Sequence, residues 1–350
     1  MQSRLLFGAA FVAASFPLLL AGCSGGTSSV APATQPAAKQ FQGPAQRHST
    51  LLLGLSRTRH APLATHSWMK HVNPKTSLLY LSDAYANDVN IYDAAGSNQT
   101  PIGQITGLNQ PQGLWVNVNQ NLWLANTGAQ ALMEFHRGSV VPYRTVTDPN
   151  GYPAGICGNN NKALTYGVDI LANGGGYGNT INVYAKNDTS PSQVLTDTNS
   201  EALYDCVVDK NGNLFVTLSN LTGYGEVDEF AKGSTTPVTL ISNLIYPIGI
   251  TIDKYGTLAV NDADANYPYC CSVIYLYDPP YTYGPAFSFE TNGFIIETAL
   301  DRTQTHLWMA DTQNFDASEW SYPHGSFENA TSNQGLQYPD GIALSPPAKQ

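Results

Sequence analysis

The sequence has few charged residues, few cysteines and none of the short motifs that identify several common enzyme classes. Charged residues make up 12% of the 350 positions, and only five positions are cysteine. The only G-x-S-x-G pattern, at residues 22–26, lies in the N-terminal segment outside the predicted repeats, and there is no H-E-x-x-H helix and no Walker loop, which argues against the usual α/β-hydrolase, zincin and P-loop sites. No C-x-x-C pair is present either, so a zinc site built on thiolates is not expected.

Acidic residues are missing from the whole N-terminal part of the chain. Asp83 is the first of 26 acidic residues, and from residue 76 onward the formal charge balance is −17. A domain of this charge repels nucleic acid, so we expect no nucleic-acid partner. The preceding segment is basic, and each cation near an anionic membrane surface contributes roughly 1 kcal/mol of attraction.

Residues 1–22 have the pattern of a signal peptide. An apolar run over residues 5–20 follows Arg4 and is too short to span a bilayer comfortably. The run ends in Leu-Ala-Gly-Cys, which resembles the lipobox of bacterial lipoproteins. That resemblance implies cleavage before Cys23, a lipid on the Cys23 sulfur and, because Ser24 follows, an outer-membrane location in the cell envelope. The alternative is an ordinary signal peptide with a chance cysteine.

Residues 23–70 are rich in Ser, Thr, Gly, Pro, Ala and Gln, and they predict a flexible tether. This composition cannot bury enough apolar surface to order itself. The folded domain is then expected over residues 71–350. No second apolar run of membrane-spanning length follows, so lipid alone is expected to hold the protein on the membrane.

A sequence motif of the type P-x-G, followed by a tight turn and an apolar strand, recurs every 42 to 50 residues. A repeat of this length is typical of one four-stranded propeller blade. Turns such as DKNG and DKYG, with Asp first and Gly last, support the strand assignments. Six copies can be aligned, and they begin at Pro111, Pro153, Leu203, Pro247, Ile295 and Pro339.

The first blade is divided between the two ends of the chain. Residues 78–83 and 89–96 predict its second and third strands, and no inner strand precedes them. Residues 339–344 supply the missing inner strand, and this pairing of chain ends removes an exposed edge. The sequence therefore predicts an all-β, monomeric, six-bladed β-propeller in which the C-terminal strand closes the first blade.

The recurring P-x-G-I-x-x-D, G-x-L-x-V and x-I-x-x-Y/F elements resemble NHL-type and gluconolactonase-type six-bladed propellers over residues 76–346. In the gluconolactonase-like family the aspartate of P-D-G is a metal ligand, and Asp340 matches that position. The family's other ligands, an asparagine and a glutamate, have no counterpart in this chain. Their places are taken by Gln112, Ala154, Tyr204, Ile248 and Ile296.

Three carboxyl groups are predicted to converge on the central channel. Asp205 and Glu297 stand where four other copies have glycine, and Asp340 stands one residue earlier. Hard cations such as Ca²⁺ prefer several carboxylate and carbonyl oxygens, so these residues could hold a divalent metal. Alternatively, the three acids accept hydrogen bonds from backbone groups in the channel.

Two further sets of residues are candidates for a binding surface. The ends of the second strands carry small polar residues that either contact a partner or bond loop backbone. They are Asp83, Asn126, Ser219, Asn261, Asp262 and Asp311. Tyr267 and Tyr269 lie in a predicted loop, and exposed tyrosines favour protein or glycan binding.

The four cysteines after Cys23 allow three pairings, of which Cys157 with Cys206 is preferred because both lie on inner strands of consecutive blades. Cys270 and Cys271 are adjacent and could pair with each other. Streptogramin lyase shares this fold and uses histidine chemistry with Mg²⁺. Three histidines lie within the blades, but none is near an inner-strand start, so lyase chemistry is not expected. They are His136, His306 and His324.

The sequence favours a membrane-anchored binding or scaffold protein with a protein or polysaccharide partner and no certain cofactor. The main alternative is a metal-dependent, Ca-type lactonase or related hydrolase with its site in the channel. The fold alone does not decide between them, because propellers support many functions.

Overall fold

The computed structural model describes residues 66–159, 163–265 and 271–349, which all belong to one compact unit, Gln42–Gln350. They form six antiparallel sheets arranged as the blades of a β-propeller. The predicted signal peptide, Cys23 and the predicted tether up to residue 65 lie outside the described residues, as do Tyr267, Tyr269 and Cys270. Within the described ranges no helix is both long and apolar enough to cross a membrane.

Each blade is described from the channel outward. The first is β25 (Pro339–Ser345), β2 (Leu78–Asp83), β3 (Asp88–Asp93), β4 (Gly103–Ile105) and β1 (Trp68–Met69). The second is β5 (Pro111–Val116), β6 (Leu122–Asn126), β7 (Ala131–Phe135) and β8 (Arg144–Thr147), with a 3-10 helix, Thr127–Ala129, after β6. The third is β9 (Gly151–Asn159), β10 (Leu164–Ala172), β11 (Thr180–Ala185) and β12 (Gln193–Thr196).

The remaining three blades have the same order. The fourth is β13 (Ser200–Val208), β14 (Leu214–Asn220), β15 (Gly225–Phe230) and β16 (Val238–Leu244). The fifth is β17 (Pro247–Ile252), β18 (Leu258–Asp262), β19 (Val273–Tyr277) and β20 (Phe287–Glu290). The sixth is β21 (Ile295–Leu300), β22 (His306–Asp311), β23 (Asp316–Ser321) and β24 (Phe327–Ala330).

The C-terminal strand closes the ring, which confirms the prediction from the sequence. β25 pairs antiparallel with β2, with Leu344 opposite Leu79 and Ile342 opposite Leu81. This pairing covers the edge of β2 that would otherwise present unpaired backbone groups. The fold is therefore an all-β, six-bladed propeller held shut by its two chain ends.

The start of the folded domain differs from the sequence-based expectation. The tether was predicted to extend through residue 70, but Trp68 and Met69 form β1 and pair with Gln104 and Gly103. This strand gives the first blade a fifth, outermost member, so the folded part begins before residue 71.

Apolar side chains between adjacent blades form the core, divided into several clusters. One joins the third and fourth blades and contains Val168, Ile181, Val216 and Phe230, all buried. Clusters of this kind follow from strand alternation, because each sheet presents an apolar face to each neighbouring blade. A disulfide between Cys157 on β9 and Cys206 on β13 links the same two blades, the pairing preferred from the sequence.

Candidate functional site

The two faces of the propeller are defined by the direction of the inner strands. On the start face the inner strands begin, and the loops after the second strands lie beside them. On the turn face the inner strands end in tight turns, such as residues 209–213 and 253–257. The loops between third and fourth strands, such as residues 278–286, also lie on the turn face because neighbouring strands are antiparallel.

Glycine at the third position of an inner strand allows neighbouring blades to approach closely around the axis. A Cβ atom on Gly113 would lie 2.5 Å from the carbonyl oxygen of Ala154 in the next blade. A Cβ atom on Gly249 would lie 2.6 Å from the carbonyl oxygen of Ile296. These positions therefore exclude side chains, and the two copies that carry acids instead of glycine must place them in the channel.

Asp205 uses its carboxyl group to join two inner strands. Its Oδ2 accepts a hydrogen bond from the backbone N–H of Ile250 in the fifth blade at 3.0 Å. Its Oδ1 accepts one from the N–H of Cys206 at 2.7 Å. Both donors belong to strand edges that face the channel, where no further strand can pair with them. Asp205 thus replaces a missing strand partner.

Glu297 makes the same kind of contact on the opposite side of the channel. Its Oε2 accepts hydrogen bonds from the backbone N–H of Ile342 at 3.1 Å and of Leu114 at 3.3 Å. One carboxyl group on the sixth blade therefore holds the inner strands of the first and second blades. Asp340 makes a longer contact than the other two acids, because its Oδ2 accepts a single hydrogen bond of 3.4 Å, from the side-chain amide of Gln112.

The three channel acids are buried, and no positive charge of the described residues contributes to the shifts in their pKa values. Burial raises the pKa of Asp205 to about 7, although its two backbone donors oppose the shift. Burial and, to a smaller extent, the charge of Asp83 raise the pKa of Asp340 to about 8. Burial followed by the charges of Asp205 and Asp340 raises the pKa of Glu297 well above its usual range. The structure therefore favours protonated forms of these acids near neutral pH.

The channel leaves little room on the start face. Asp205, Glu297 and Asp340 line a cavity of about 20 Å³ there, and Tyr204 lies at its wall. A cavity of that size holds about one water molecule. Tyr204 packs edge-on against Tyr246, with ring centroids 5.3 Å apart, and both rings are buried. An organic substrate therefore has no space at this end of the channel.

The channel acids do not fit the metal site that the gluconolactonase resemblance implies. Among the described residues no group of three or more His, Cys, Asp or Glu side chains is arranged to hold a metal ion. Both oxygens of Asp205 and the Oε2 of Glu297 already accept backbone hydrogen bonds. For Asp205 and Glu297 the arrangement matches the alternative stated above, in which the acids accept hydrogen bonds from backbone groups of the channel, whereas Asp340 bonds the Gln112 side chain.

The polar residues at the second-strand ends are buried and bonded to neighbouring loops. Asp83 accepts hydrogen bonds from the N–H groups of Ala86 and Tyr338, and Asp262 accepts them from Ile245 and Tyr246. Asn126 and Asp311 likewise accept hydrogen bonds from loop backbone, Asn126 from Asn109 and Asp311 from Gln313 and Asn314. The Ser219 hydroxyl is hydrogen-bonded to the Tyr204 hydroxyl, and the Asn261 amide donates to the carbonyl oxygen of Ile295 on β21. These residues lie at the start face as expected, but they shape its loops and do not form an exposed surface.

The three histidines of the blades lie apart from the channel acids. His136 stacks on Tyr143 with ring centroids 4.4 Å apart, and His306 lies 3.2 Å from the carboxylate of Glu328. His324 is exposed in the loop between β23 and β24.

Two clefts on the turn face were not anticipated from the sequence. They lie on either side of Tyr255, whose side chain is 74% exposed. The first, of about 220 Å³, runs between the turn at residues 209–213 and Tyr281. The second, of about 300 Å³, is bordered by Phe287 and Tyr322. The DKYG motif predicted the turn, but it did not reveal that its tyrosine stands between two clefts.

Comparison with known proteins supports the fold and leaves the function open. No protein-family model matches the sequence, and a search of curated proteins finds no match. Among solved structures, a chain from a nidogen/laminin complex superimposes with a TM-score of 0.61 at 16% identity, covering 77% of this chain and 98% of that chain.

Two further structures have the same shape. A functionally unknown protein from Desulfotomaculum acetoxidans has a TM-score of 0.53 at 11% identity, covering 76% of this chain and 98% of its own. Hydrazine synthase from Kuenenia stuttgartiensis has a TM-score of 0.55 at 14% identity, covering 75% of this chain and 78% of that chain. At such low identities these similarities establish the propeller fold alone.

Proposed function

We propose that this chain is a lipid-anchored binding module of the bacterial cell envelope, and that it binds its partner on the turn face of the fourth to sixth blades. The observation that carries this proposal is the position of Tyr255, an exposed aromatic residue between two clefts. Tyrosine is favoured at binding surfaces because it offers a large contact area with a polar tip.

The channel supports binding over catalysis. Asp205 and Glu297 accept backbone hydrogen bonds, and the two cavities that channel acids line, of about 20 Å³ and 100 Å³, are both smaller than the turn-face clefts. A channel hydrolase requires both a free acid or metal and a place for the substrate, so we do not propose metal-dependent lactonase activity. The fold itself is neutral on this point, since a hydrazine synthase and a nidogen/laminin complex both contain chains of this shape.

The N-terminal sequence supports the proposed anchor. Cys23 follows an apolar run and the lipobox-like residues Leu-Ala-Gly, and the next 45 or so residues carry basic charge and no acid. Two or three acyl chains are enough to hold a soluble domain firmly, because each buried CH₂ contributes about 0.8 kcal/mol. Feeding cells a labelled fatty acid tests this: the intact chain should carry the label, and the Cys23→Ser variant should not. Unlabelled intact chain would show that the anchor is wrong.

The binding face is tested with isolated bacterial cell envelopes and the full chain in detergent. Tyr255→Ala combined with Tyr283→Ala removes two exposed rings of the turn face, and Tyr283 is 81% exposed. Tyr177→Ala is the matched control, because Tyr177 is an exposed tyrosine in a loop on the start face. We expect saturable binding that the turn-face variant weakens about tenfold and the control leaves unchanged. Equal binding by all three proteins would contradict the proposed face.

A further inference from the structure

Tyr255 is held in place by its own turn. The carboxylate of Asp253 accepts hydrogen bonds from the N–H groups of Tyr255 and Thr257, at 2.8 and 2.9 Å. The N–H of Lys254 donates to the side chain of Gln304 in the sixth blade at 2.9 Å. The backbone beneath the exposed ring is therefore fixed before any ligand arrives, which lowers the entropy cost of binding.

A second ring, Tyr281, forms a rigid wall of the first cleft. Its hydroxyl donates to the carbonyl oxygen of Gly256 at 2.7 Å, and its ring packs edge-on against Phe215 with centroids 5.6 Å apart. Burial, followed by the nearby carboxylates of Asp209 and Glu229, raises the pKa of Tyr281 to about 12, so the phenol keeps its proton. Two tyrosine rings from adjacent loops thus line one cleft.

The opposite wall of the first cleft presents planar amides and carboxylates. Asp209 accepts hydrogen bonds from the side-chain amides of Asn211 and Asn213, at 3.2 and 3.0 Å. These bonds fix the orientation of both amides at the cleft edge. Glu229 also lines the cleft, with a carboxyl group that is only partly buried. The Oδ1 of Asn213 also accepts the N–H of Lys232 at 3.0 Å, so Asn213 retains one amide N–H for a ligand. The Asn211 amide and the Glu229 carboxylate can each engage two adjacent hydroxyl groups.

The charges around the clefts favour an uncharged ligand. Asp209, Glu229 and Asp253 outnumber Lys210 and Lys254 in the first cleft, so an anionic polymer is repelled. A cationic peptide is also disfavoured, because the ammonium of Lys254 already lies over the Tyr255 ring, 5.0 Å from its centroid. The cation–π position on this ring is therefore taken by the chain itself.

We propose that the two clefts bind consecutive sugar rings of a neutral polysaccharide, with Tyr255 between them. The C–H faces of the sugars pack on Tyr255 and Tyr281, while their hydroxyl groups bond to Asn211, Asn213 and Glu229. This inference rests on the proposed function, since it identifies the ligand class of the same face.

The test uses the full chain in detergent and defined polymers. Dextran, galactomannan and mixed-linkage β-glucan are the neutral probes, alginate is the anionic probe and oligolysine is the cationic probe. Affinity electrophoresis with each polymer compares the wild-type chain with Tyr255→Ala, Tyr255→Phe and the start-face control Tyr177→Ala. Because the Tyr255 side chain is largely exposed, its removal leaves the core intact, and thermal unfolding of each variant checks this.

We expect at least one neutral polymer to retard the wild-type chain, Tyr255→Phe and Tyr177→Ala equally, and Tyr255→Ala about tenfold less. Retardation by alginate or oligolysine alone, or equal retardation of Tyr255→Ala by a neutral polymer, would overturn the inference. Absence of neutral-polymer binding, together with envelope binding that still requires Tyr255 and Tyr283, would reject the glycan and leave the proposed face standing. Envelope binding that needs neither tyrosine would reject the face itself.

Discussion

The carboxyl group of Glu297 accepts a hydrogen bond from the backbone N–H of Ile342 at 3.1 Å, which joins the last blade to the strand that closes the first. The same oxygen accepts the N–H of Leu114 in the second blade. Asp205 repeats this contact between the fourth and fifth blades. The channel acids therefore contribute to ring closure from the inside, where the inner strands have no further strand to pair with.

Replacing Glu297 tests this structural role. Glu297→Ala leaves the N–H groups of Ile342 and Leu114 without an acceptor and opens space in the channel, so we expect a loss of about 2–4 kcal/mol in the free energy of unfolding. Glu297→Gln retains a carbonyl oxygen at the same distance and should lose about 1 kcal/mol or less. Urea unfolding followed by circular dichroism measures both. Equal, small effects of the two variants would show that the hydrogen bonds do not stabilise the ring.

The buried acids also predict how stability depends on pH. Asp340 and Asp205 keep their protons up to about pH 8 and pH 7 in the folded protein, whereas an unfolded aspartate titrates near 3.9. Over that interval the folded state binds more protons than the unfolded state, so the free energy of unfolding falls as pH rises. Each such carboxyl contributes a slope of up to about 1.4 kcal/mol per pH unit.

Urea unfolding at pH 5, 6, 7 and 8 measures this slope. The stabilisation that the protonated Asp205 and Asp340 carboxyls contribute is fully present below about pH 4. It is lost as pH rises through their folded-state pKa values of about 7 and about 8. Asp340→Asn cannot ionise at this position, so its stability should fall less steeply than that of the wild type. Glu290→Gln, at an exposed acid on β20, serves as the control and should keep the wild-type slope. A slope unchanged in Asp340→Asn would mean that Asp340 does not titrate in this range.

The Cys157–Cys206 disulfide closes a loop with a sequence separation of 49 residues. Constraining a loop of that length in the unfolded chain contributes about 4 kcal/mol in the chain-entropy account. The double variant Cys157→Ala/Cys206→Ala should therefore unfold at a clearly lower urea concentration, with both blades still formed in the native state. A midpoint within experimental error of the wild type would show that the bond adds no stability.

The effect of added metal ions on stability distinguishes the binding-module hypothesis from the channel-hydrolase hypothesis. Any ligand that binds only the folded state raises the melting temperature. Because Asp205 and Glu297 are already bonded to backbone donors, we expect Ca²⁺, Mg²⁺ and Zn²⁺ at millimolar concentration to leave the melting temperature unchanged. Elemental analysis of the purified chain should find no stoichiometric metal. A bound metal that disappears in Asp340→Asn would restore the hydrolase hypothesis.

The propeller could be predicted because its repeat depends on local chemistry. Proline and glycine mark four of the six inner-strand starts, and Asp-to-Gly turns follow two of the inner strands, at residues 209–212 and 253–256. Gly212 and Gly256 have φ angles of +92° and +94°, which other residues adopt at a cost, so the turns were visible in the sequence. The short strand β1 at Trp68 could not be predicted, because two residues are too few to show an alternation of apolar and polar side chains.

The candidate site was predicted only in part, for a physical reason. Alignment of the repeats correctly brought Asp205, Glu297 and Asp340 to one channel, because equivalent positions of a ring must converge. It could not tell whether their oxygens face a ligand or the backbone of the next blade, which depends on distances of a few tenths of an ångström. The exposure of Tyr255 likewise depends on how two loops from adjacent blades pack around it.

Hydrogen exchange of the full chain, with and without isolated bacterial cell envelopes, tests the central claim most directly. If the propeller binds through the turn face, added envelopes should slow exchange in residues 253–257 and 278–286 and leave the inner strands β13 and β21 unchanged. Slower exchange confined to the inner strands or the start-face loops, with none at Tyr255, would place the ligand in the channel and contradict the account.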